Sequence, residues 1–263
     1  MSTWEAILMG IIQGLTEFLP VSSSGHLEIA SALFGVEGEE NLAFTTVLHG
    51  GTVLSTIVVF RKTLARLLAG FFRFKAGPEM LFCVNLLISA VPIFFVGMMF
   101  KNQVAGLFTG NLLLVGCMLL VTAALLTFSQ KAKPGHRPVT LKDAFIIGIA
   151  QAMAVIPGLS RSGATISTGL LLGVKRDEVA SFSFLMALIP IIGANLLELF
   201  GGGFGTSAAA VGTVPLAAGF LTSFLVGTLA CRLMIRLVKR GNLIWFAVYC
   251  AVVGVIAIGY SLF

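Results

Sequence analysis

Charged residues are scarce in this sequence, and their scarcity excludes a soluble globular protein. Asp, Glu, Lys and Arg together make up 11% of the 263 residues, whereas soluble domains carry about 25%. Hydrophobic residues make up 57%, and the mean hydropathy is +1.03. A core of this size cannot hide so many apolar side chains from water, so much of the surface must face lipid. We therefore predict an integral membrane protein.

Three further features of the sequence limit the class of protein and the partners that it can have. The four cysteines, Cys83, Cys117, Cys231 and Cys250, lie scattered in apolar runs without metal-ligand spacing, so we interpret them as packing residues. The first residues lack a basic stretch, and Glu5 stands where a cleaved leader would be positive, so we expect insertion to rely on the helices of the chain itself. The net charge of +6 comes mostly from Lys and Arg in short loops between apolar runs. This is the pattern of membrane topology, so no nucleic-acid partner is expected.

Six apolar runs are long enough to cross a bilayer, which takes about 20 residues. They are roughly residues 41–60, 80–100, 111–128, 179–199, 215–234 and 243–262. Two further runs, 4–34 and 144–172, are interrupted by polar segments with proline and glycine, at 20–26 and 157–163. Such a segment is tolerated at membrane depth where protein or a wet cavity surrounds it. We predict that both runs are re-entrant helix–loop–helix hairpins.

The basic residues orient the chain. They form four clusters: Arg61, Lys62, Arg66, Arg73 and Lys75; Lys131, Lys133, Arg137 and Lys142; Lys175 and Arg176; and Arg232, Arg236, Lys239 and Arg240. Threading six spans through the sequence places all four clusters on one side, which is the cytoplasm by the positive-inside rule. The other side receives Glu37, Glu39, Glu40, Lys101 and an uncharged loop at 201–207. The first hairpin then enters from outside, the second from inside, and both termini lie outside.

The sequence also repeats. Residues 10–13 (GIIQ) match 148–151 (GIAQ), and residues 22–25 (SSSG) match 160–163 (SRSG) at the same offset. Each half, about 1–130 and about 140–263, contains one hairpin and three spans, and an odd number of spans inverts the second copy. We therefore predict an all-α polytopic membrane protein with one integral domain, six transmembrane helices and two re-entrant hairpins in an inverted-topology repeat. Transporters of this plan place their site near the midplane, where broken helices meet.

Glu17 is the first candidate site residue. It lies in an apolar run, and Gln13 shares its helix face because the two are four residues apart. An ionisable group inside a membrane costs at least about 2.5 kcal/mol and marks a functional site by default. The alternative is a hydrogen-bonded strut between the hairpin and the bundle.

The segment Ser22, Ser23, Ser24, Gly25 and His26 suits phosphate binding or nucleophilic attack. A serine hydroxyl is a poor nucleophile until a base takes its proton. Ser23 and His26 are close enough in sequence to form such a pair and act as one unit. The alternative is a helix cap, and both can hold, because helix N-termini also bind anions.

Arg161 lies in the second polar segment, where its guanidinium needs a partner. Its planar fork matches phosphate oxygens, and we expect Ser160, Ser162 and Thr165 to assist it. The alternative is an ion pair with Glu17. Two weaker candidates remain: we interpret His49 as structural and Glu198 as a solvated charge at the end of a span.

Two segments carry a family resemblance. Residues 13–26 (QGLTEFLPVSSSGH) and 157–165 (PGLSRSGAT), followed by Gly169, resemble the bacterial undecaprenyl-diphosphate phosphatases of the bacitracin-resistance family. Length and span pattern extend the resemblance over essentially the whole chain. It implies hydrolysis of the polyprenyl diphosphate lipid to undecaprenyl phosphate and inorganic phosphate. That reaction recycles the lipid carrier for peptidoglycan synthesis in the bacterial inner membrane and confers bacitracin resistance.

The resemblance also implies site roles. It carries Glu17, Ser23, His26 and Arg161 over as active-site residues, in a site open to the periplasmic side. Gln13 stands where family members have Glu or Gln, and its neutral carbonyl is a weaker metal ligand. Mg²⁺ or Ca²⁺, bound by Glu17, Gln13 and diphosphate oxygens, is the expected cofactor.

Several alternatives stay open at this point. Ser23, His26 or water could be the nucleophile, with Arg161 and the metal neutralising the diphosphate. A transporter or flippase for an anionic lipid also accounts for inverted repeats, broken helices and a buried arginine, but it does not need a Ser/His pair beside that arginine. The sequence leaves the oligomeric state open, a homodimer included.

Overall fold

A computed structural model describes residues 1–35, 39–73, 75, 77–108, 110–133, 135–200 and 204–262. These residues fold into twelve α-helices and contain no β-strand. The helices are α1 (Thr3–Thr16), α2 (Ser23–Phe34), α3 (Glu39–Phe71), α4 (Pro78–Met99), α5 (Lys101–Ala105), α6 (Leu112–Gln130), α7 (Leu141–Met153), α8 (Arg161–Leu171), α9 (Arg176–Phe200), α10 (Phe204–Val211), α11 (Thr213–Arg240) and α12 (Ile244–Leu262).

The six predicted spans are confirmed by length and composition. The helices long and apolar enough to cross a membrane are α3, α4, α6, α9, α11 and α12. Two of these helices, α3 and α11, continue several residues past the end of the apolar run predicted from the sequence. Helix α3 runs on to Phe71 and therefore carries Arg61, Lys62 and Arg66 on its last turns rather than in a following loop. A helix whose backbone hydrogen bonds are already formed continues into the aqueous layer without penalty.

The prediction for the uncharged loop at 201–207 is partly wrong. Its second half begins helix α10, Phe204–Val211, because three consecutive alanines at 208–210 favour helix. Glu37 lies outside the described residues, as do the side chains of Glu39, Glu40 and Lys101.

Each interrupted run is a pair of helices separated by a short irregular segment. We call residues 17–22, between α1 and α2, the first break, and residues 154–160, between α7 and α8, the second break. Backbone conformations that interrupt a helix occur in both, with φ of 71° at Ser22 and 92° at Gly158. Both predicted interruptions of helix are present, but each begins three residues earlier than predicted, and residues 23–26 and 161–163 already form the first turns of α2 and α8.

Small residues bring the first helix of each pair close to a membrane span. A Cβ atom added to Gly10 would lie 2.8 Å from the carbonyl oxygen of Gly219 on α11, and one added to Gly14 would lie 2.8 Å from the nitrogen of Gly227. Helix α7 packs on α4 in the same way, since a Cβ on Gly148 would meet the backbone of Ser89. Such close backbone approach is typical of helix packing in membranes. These contacts hold α1 and α7, the helices that precede the two breaks, against α11 and α4.

The second pair is also anchored at its polar end. Arg137 forms a two-pronged ion pair with Asp143 at the start of α7, and its guanidinium donates to the carbonyl oxygen of Leu172 after α8 at 2.6 Å. Burial raises the pKa of Asp143, but hydrogen bonds from Arg137 and Thr140 outweigh it and bring that pKa to about 2. The two ends of the helix pair are thereby held together.

Candidate active site

Each break contacts the start of the second helix of the other pair. A Cβ atom on Gly25, in the first turn of α2, would lie 2.9 Å from the Cα of Gly158 in the second break. The hydroxyl of Ser162 donates to the carbonyl oxygen of Leu19 at 3.1 Å. Residues that are far apart in sequence therefore line one site.

Glu17 and Arg161 form an ion pair across this contact. The guanidinium donates to Oε1 of the carboxylate, and the two side chains are 4% and 18% exposed. The ion pair that the sequence left open as an alternative is thus present. It keeps either charge from being buried alone, which would be strongly unfavourable.

The other oxygen of Glu17 holds a second set of groups. Ser23 donates its hydroxyl to Oε2 at 2.7 Å, and the amide of Gln13 donates at 3.0 Å. The ring nitrogen Nε2 of His49 lies 3.8 Å from the same oxygen. Glu17 is therefore the group on which residues from α1, α2, α3 and α8 converge.

His26 faces away from this cluster. Its Nδ1 lies 2.8 Å from the carbonyl oxygen of Ser22, and its Nε2 lies 2.8 Å from the hydroxyl of Tyr249 on α12. The predicted hydrogen bond between Ser23 and His26 is not present, so the structure corrects that pairing. The Ser23 hydroxyl instead meets a carboxylate, which is the stronger acceptor. The catalytic role of each residue stays a prediction.

The serines before α2 and α8 repeat one arrangement. The hydroxyl of Ser22 accepts from the backbone N–H of Gly25 at 3.3 Å, and that of Ser160 accepts from Gly163 at 3.0 Å. Each capping hydroxyl also lies 3.3 Å from that of the serine two positions later, Ser24 or Ser162. The helix-cap alternative is confirmed for Ser22 of the first segment, and Ser160 caps α8 in the same way. The remaining N–H groups at both helix starts can face an anion.

Thr165 lies one turn into α8 and is fully buried. Its hydroxyl donates to the carbonyl oxygen of Arg161 at 2.8 Å and lies 2.6 Å from the hydroxyl of Ser183 on α9. These contacts join α8 to α9 behind Arg161. Thr165 thus supports the position of the arginine backbone.

A pocket opens beside the ion pair. Its polar lining residues are Glu17, Arg161, Thr52 and Thr56. Its apolar lining comes mainly from α9, with Phe184, Ala187, Leu188 and Ile191, and also includes Val53 of α3 and Phe18 of the first break. The pocket is small and brings the charged pair into contact with apolar side chains.

Sequence reasoning named His49 only as a weaker candidate, interpreted as structural, and missed Thr52 and Tyr249. His49 and Thr52 lie three residues apart on α3, and Thr52 accepts a hydrogen bond from Gln13 at 3.4 Å. Their common segment, LHGGT at 48–52, was the available signal, because two polar side chains share a face of an apolar helix. Tyr249 carries no comparable signal, since one tyrosine near a membrane helix end is ordinary.

The residues present fit a divalent cation shared with a phosphate ligand. Oε1 of Gln13 is buried without a hydrogen-bond partner, beside the Glu17 carboxylate. Within the described residues no group of three His, Cys, Asp or Glu side chains could form a complete metal site. One carboxylate and one amide oxygen are instead typical of a cation that takes its other ligands from substrate phosphate and water.

Comparisons with known proteins agree over the full length of the chain. The family model described as bacitracin resistance protein BacA matches residues 6–256. The undecaprenyl-diphosphatase of Bacteroides fragilis (strain ATCC 25285) is 54% identical over 99% of each chain. That of Parabacteroides distasonis is 54% identical over 100% of this chain and 99% of its own. The undecaprenyl-diphosphatase of Methanosphaera stadtmanae is 38% identical over 97% of this chain and 96% of its own. By family match and by full-length identity, this chain belongs to the bacitracin resistance protein BacA family.

Proposed function

We propose that this protein is an integral membrane phosphatase that hydrolyses undecaprenyl diphosphate to undecaprenyl phosphate and inorganic phosphate. The observation that carries the proposal is the meeting of Ser23 and Arg161 on the Glu17 carboxylate, beside a small pocket that Glu17 and Arg161 line. Relatives named undecaprenyl-diphosphatase share 54% of the sequence over the full chain. In this role the protein recycles the lipid carrier for peptidoglycan synthesis and confers resistance to bacitracin.

Arg161 holds the diphosphate in this proposal. Its guanidinium is bound to Glu17 and lines the pocket. A diphosphate brings more negative charge than one carboxylate and offers oxygens spaced for the guanidinium fork. Ser160, Ser162 and the N–H groups at the start of α8 add further donors.

Ser23 is the nucleophile that the geometry favours. Its hydroxyl already donates to Glu17 at 2.7 Å, so the carboxylate can take the proton as the oxygen attacks the terminal phosphorus. The bond from this phosphorus to the bridging oxygen breaks, and undecaprenyl phosphate leaves. Water then releases inorganic phosphate from the serine. Attack by His26 or directly by water gives the same products.

The first helix pair supplies the other phosphate contacts. The start of α2, with Ser24 and Gly25, packs against Gly158 of the second break, which lies three residues before Arg161. A helix N-terminus favours an anion through its dipole and its free N–H groups. Ser22 caps the N-terminus of α2. In the second helix pair, Thr165 holds α8 in place through its hydrogen bonds to Arg161 and Ser183.

Glu17 and Gln13 would hold the divalent cation. The buried, unpaired Oε1 of Gln13 supports this assignment. Mg²⁺ or Ca²⁺ would add positive charge against the diphosphate oxygens when bound.

We further propose that the two halves, about 1–130 and about 140–263, form an inverted repeat in a single membrane domain. Support comes from the packing of the first helix of each half on a span of the other half. Helix α1 of the first half packs on α11 of the second, and α7 of the second half packs on α4 of the first. Both helix pairs also share one capping pattern. The helix pairs then enter the bacterial inner membrane as re-entrant hairpins from opposite faces, and the pocket opens toward the periplasmic side.

The deciding experiment is phosphate release from undecaprenyl diphosphate by the purified protein in detergent. Detergent removes any gradient, so a transporter or flippase would release no phosphate. Release by the wild-type protein, with at least a hundredfold loss in a folded Arg161→Ala variant, is the expected result. Absence of phosphate release by the wild-type protein would overturn the proposal, whereas equal release by both proteins would remove only Arg161 from the mechanism.

A further inference from the structure

Tyr249 of α12 lies directly on His26. Its hydroxyl is 2.8 Å from Nε2 of the imidazole. The two rings stack, with centroids 5.6 Å apart and an angle of 12° between their planes. Two independent contacts therefore hold the histidine from one side.

The position of α12 is itself fixed against the first break. The thiol of Cys250, next to Tyr249 in sequence, is fully buried and donates to the carbonyl oxygen of Pro20 at 3.6 Å. Further along, a Cβ on Gly254 would lie 2.9 Å from the carbonyl oxygen of Gly116 on α6. Close packing on both sides leaves the tyrosine little freedom to move relative to His26.

The hydrogen bonds assign the proton on the neutral imidazole. The carbonyl oxygen of Ser22 can only accept, so Nδ1 carries the hydrogen that faces it at 2.8 Å. Nε2 then has a free lone pair and accepts from the hydroxyl of Tyr249. The reactive nitrogen of His26 is thus the one that the tyrosine contacts.

We propose that Tyr249 is a positioning residue that aims the Nε2 lone pair of His26 and shields it until substrate arrives. The proposal rests on the phosphatase function and on a role for His26 in it. Tyr249 is half-exposed, so its hydroxyl can give up Nε2 to a donor such as water or a protonated phosphate oxygen without a buried group losing its partner. Rings held by packing and one hydrogen bond keep the orientation that a catalytic group needs.

The test combines nitrogen NMR of the histidine rings with kinetics. The chain has three histidines, so the His26 resonances in ¹⁵N-histidine-labelled protein are assigned by their absence from His26→Gln. In Tyr249→Phe the Nε2 resonance should move toward that of a nitrogen without a hydrogen bond, while Nδ1 stays protonated. Tyr260→Phe is the matched control, because it changes the only other tyrosine, which is exposed on the same helix.

The kinetic part separates positioning from substrate binding. Tyr249→Phe should lower kcat by about 10- to 100-fold with little change in KM, because the hydroxyl acts through His26. Adding Tyr249→Phe to His26→Gln should cost nothing further. An unmoved Nε2 resonance, or a moved resonance with unchanged kcat, overturns the proposal. If the wild-type protein releases no phosphate, the proposed function fails instead, and the NMR result still decides whether the hydrogen bond exists.

Discussion

At the scale of single residues, the Glu17 carboxylate organises the site. One oxygen faces Arg161 and the other faces Ser23, Gln13 and His49. A buried carboxylate in lipid is tolerated only with such partners, and removing one partner leaves the rest uncompensated. The site therefore responds to substitutions as a unit.

Arg161 gives the most direct residue-scale prediction. Arg161→Lys keeps the charge but loses the planar fork, so turnover should fall by about 10- to 100-fold, and Arg161→Ala should cost more. Arg137→Lys is the matched control, because Arg137 also pairs with a carboxylate but lies at the far end of α7 and α8. Near-native turnover in a well-folded Arg161→Ala protein would rule out the phosphate-holding role.

Ser23 and Glu17 should behave as a coupled pair. If Glu17 takes the proton of Ser23, Ser23→Ala, Glu17→Gln and the double variant should lose similar activity, because groups that act in one step are far from additive. Turnover of all three variants in one detergent measures this. Losses that multiply in the double variant would show independent roles. A trapped phospho-enzyme, acid-stable on serine or acid-labile on histidine, identifies the nucleophile.

The cation proposal makes its own residue-scale prediction. Chelation should abolish phosphate release, and Glu17→Gln should require far more metal for half-maximal activity. Gln13→Glu adds a carboxylate at the unpaired amide oxygen and should require less metal than the wild-type protein. Full activity after exhaustive chelation would refute the cation. A metal requirement that is the same in Gln13→Glu would remove Gln13 from its ligands.

At the scale of helices, glycine contacts position the breaks. Gly14 of α1 leaves no room for a methyl group against the backbone of Gly227 on α11. Shifting α1 would move Glu17, which caps the same helix. Packing of two backbones thus controls the geometry of the site.

Gly14→Ala should therefore destabilise the protein and lower its activity. Overpacking of this kind costs about 1–3 kcal/mol, which a thermal melt in detergent detects as a lower Tm. Gly193→Ala on α9 is the control, because nothing lies within 4 Å of its added methyl group. An unchanged Tm in Gly14→Ala would show that α1 is free to move away from α11.

The helices were predictable from sequence to a greater extent than the contacts between side chains. Apolar runs and polar interruptions placed the six spans and both breaks, since lipid leaves the backbone few choices. The partner of Ser23 was not predictable, because proximity in sequence favoured His26 while the fold brought Glu17 closer. Tyr249 was missed for a related reason: its contact with His26 spans 223 positions, and no local pattern encodes that distance.

At the scale of the whole molecule, the basic residues predict sidedness. Single cysteines at Asn102 and Lys133, which are both exposed, should label from opposite sides of the membrane in a background without the four native cysteines. Asn102 replaces the predicted outer marker Glu37, which lies outside the described residues. A membrane-impermeant thiol reagent applied to intact cells and to inverted vesicles makes the measurement. Labelling of both positions from the same side would break the six-span topology.

The contact between Glu17 and Arg161 also has a consequence for biosynthesis. The two residues are 144 positions apart, so at about 5–20 residues per second the ribosome needs roughly 7–30 s to supply the arginine after the glutamate. During that interval the nascent protein holds an acidic group in the bilayer without its counter-ion. A half-made chain is therefore chemically distinct from a finished one, because it carries Glu17 without the ion pair that the second half supplies.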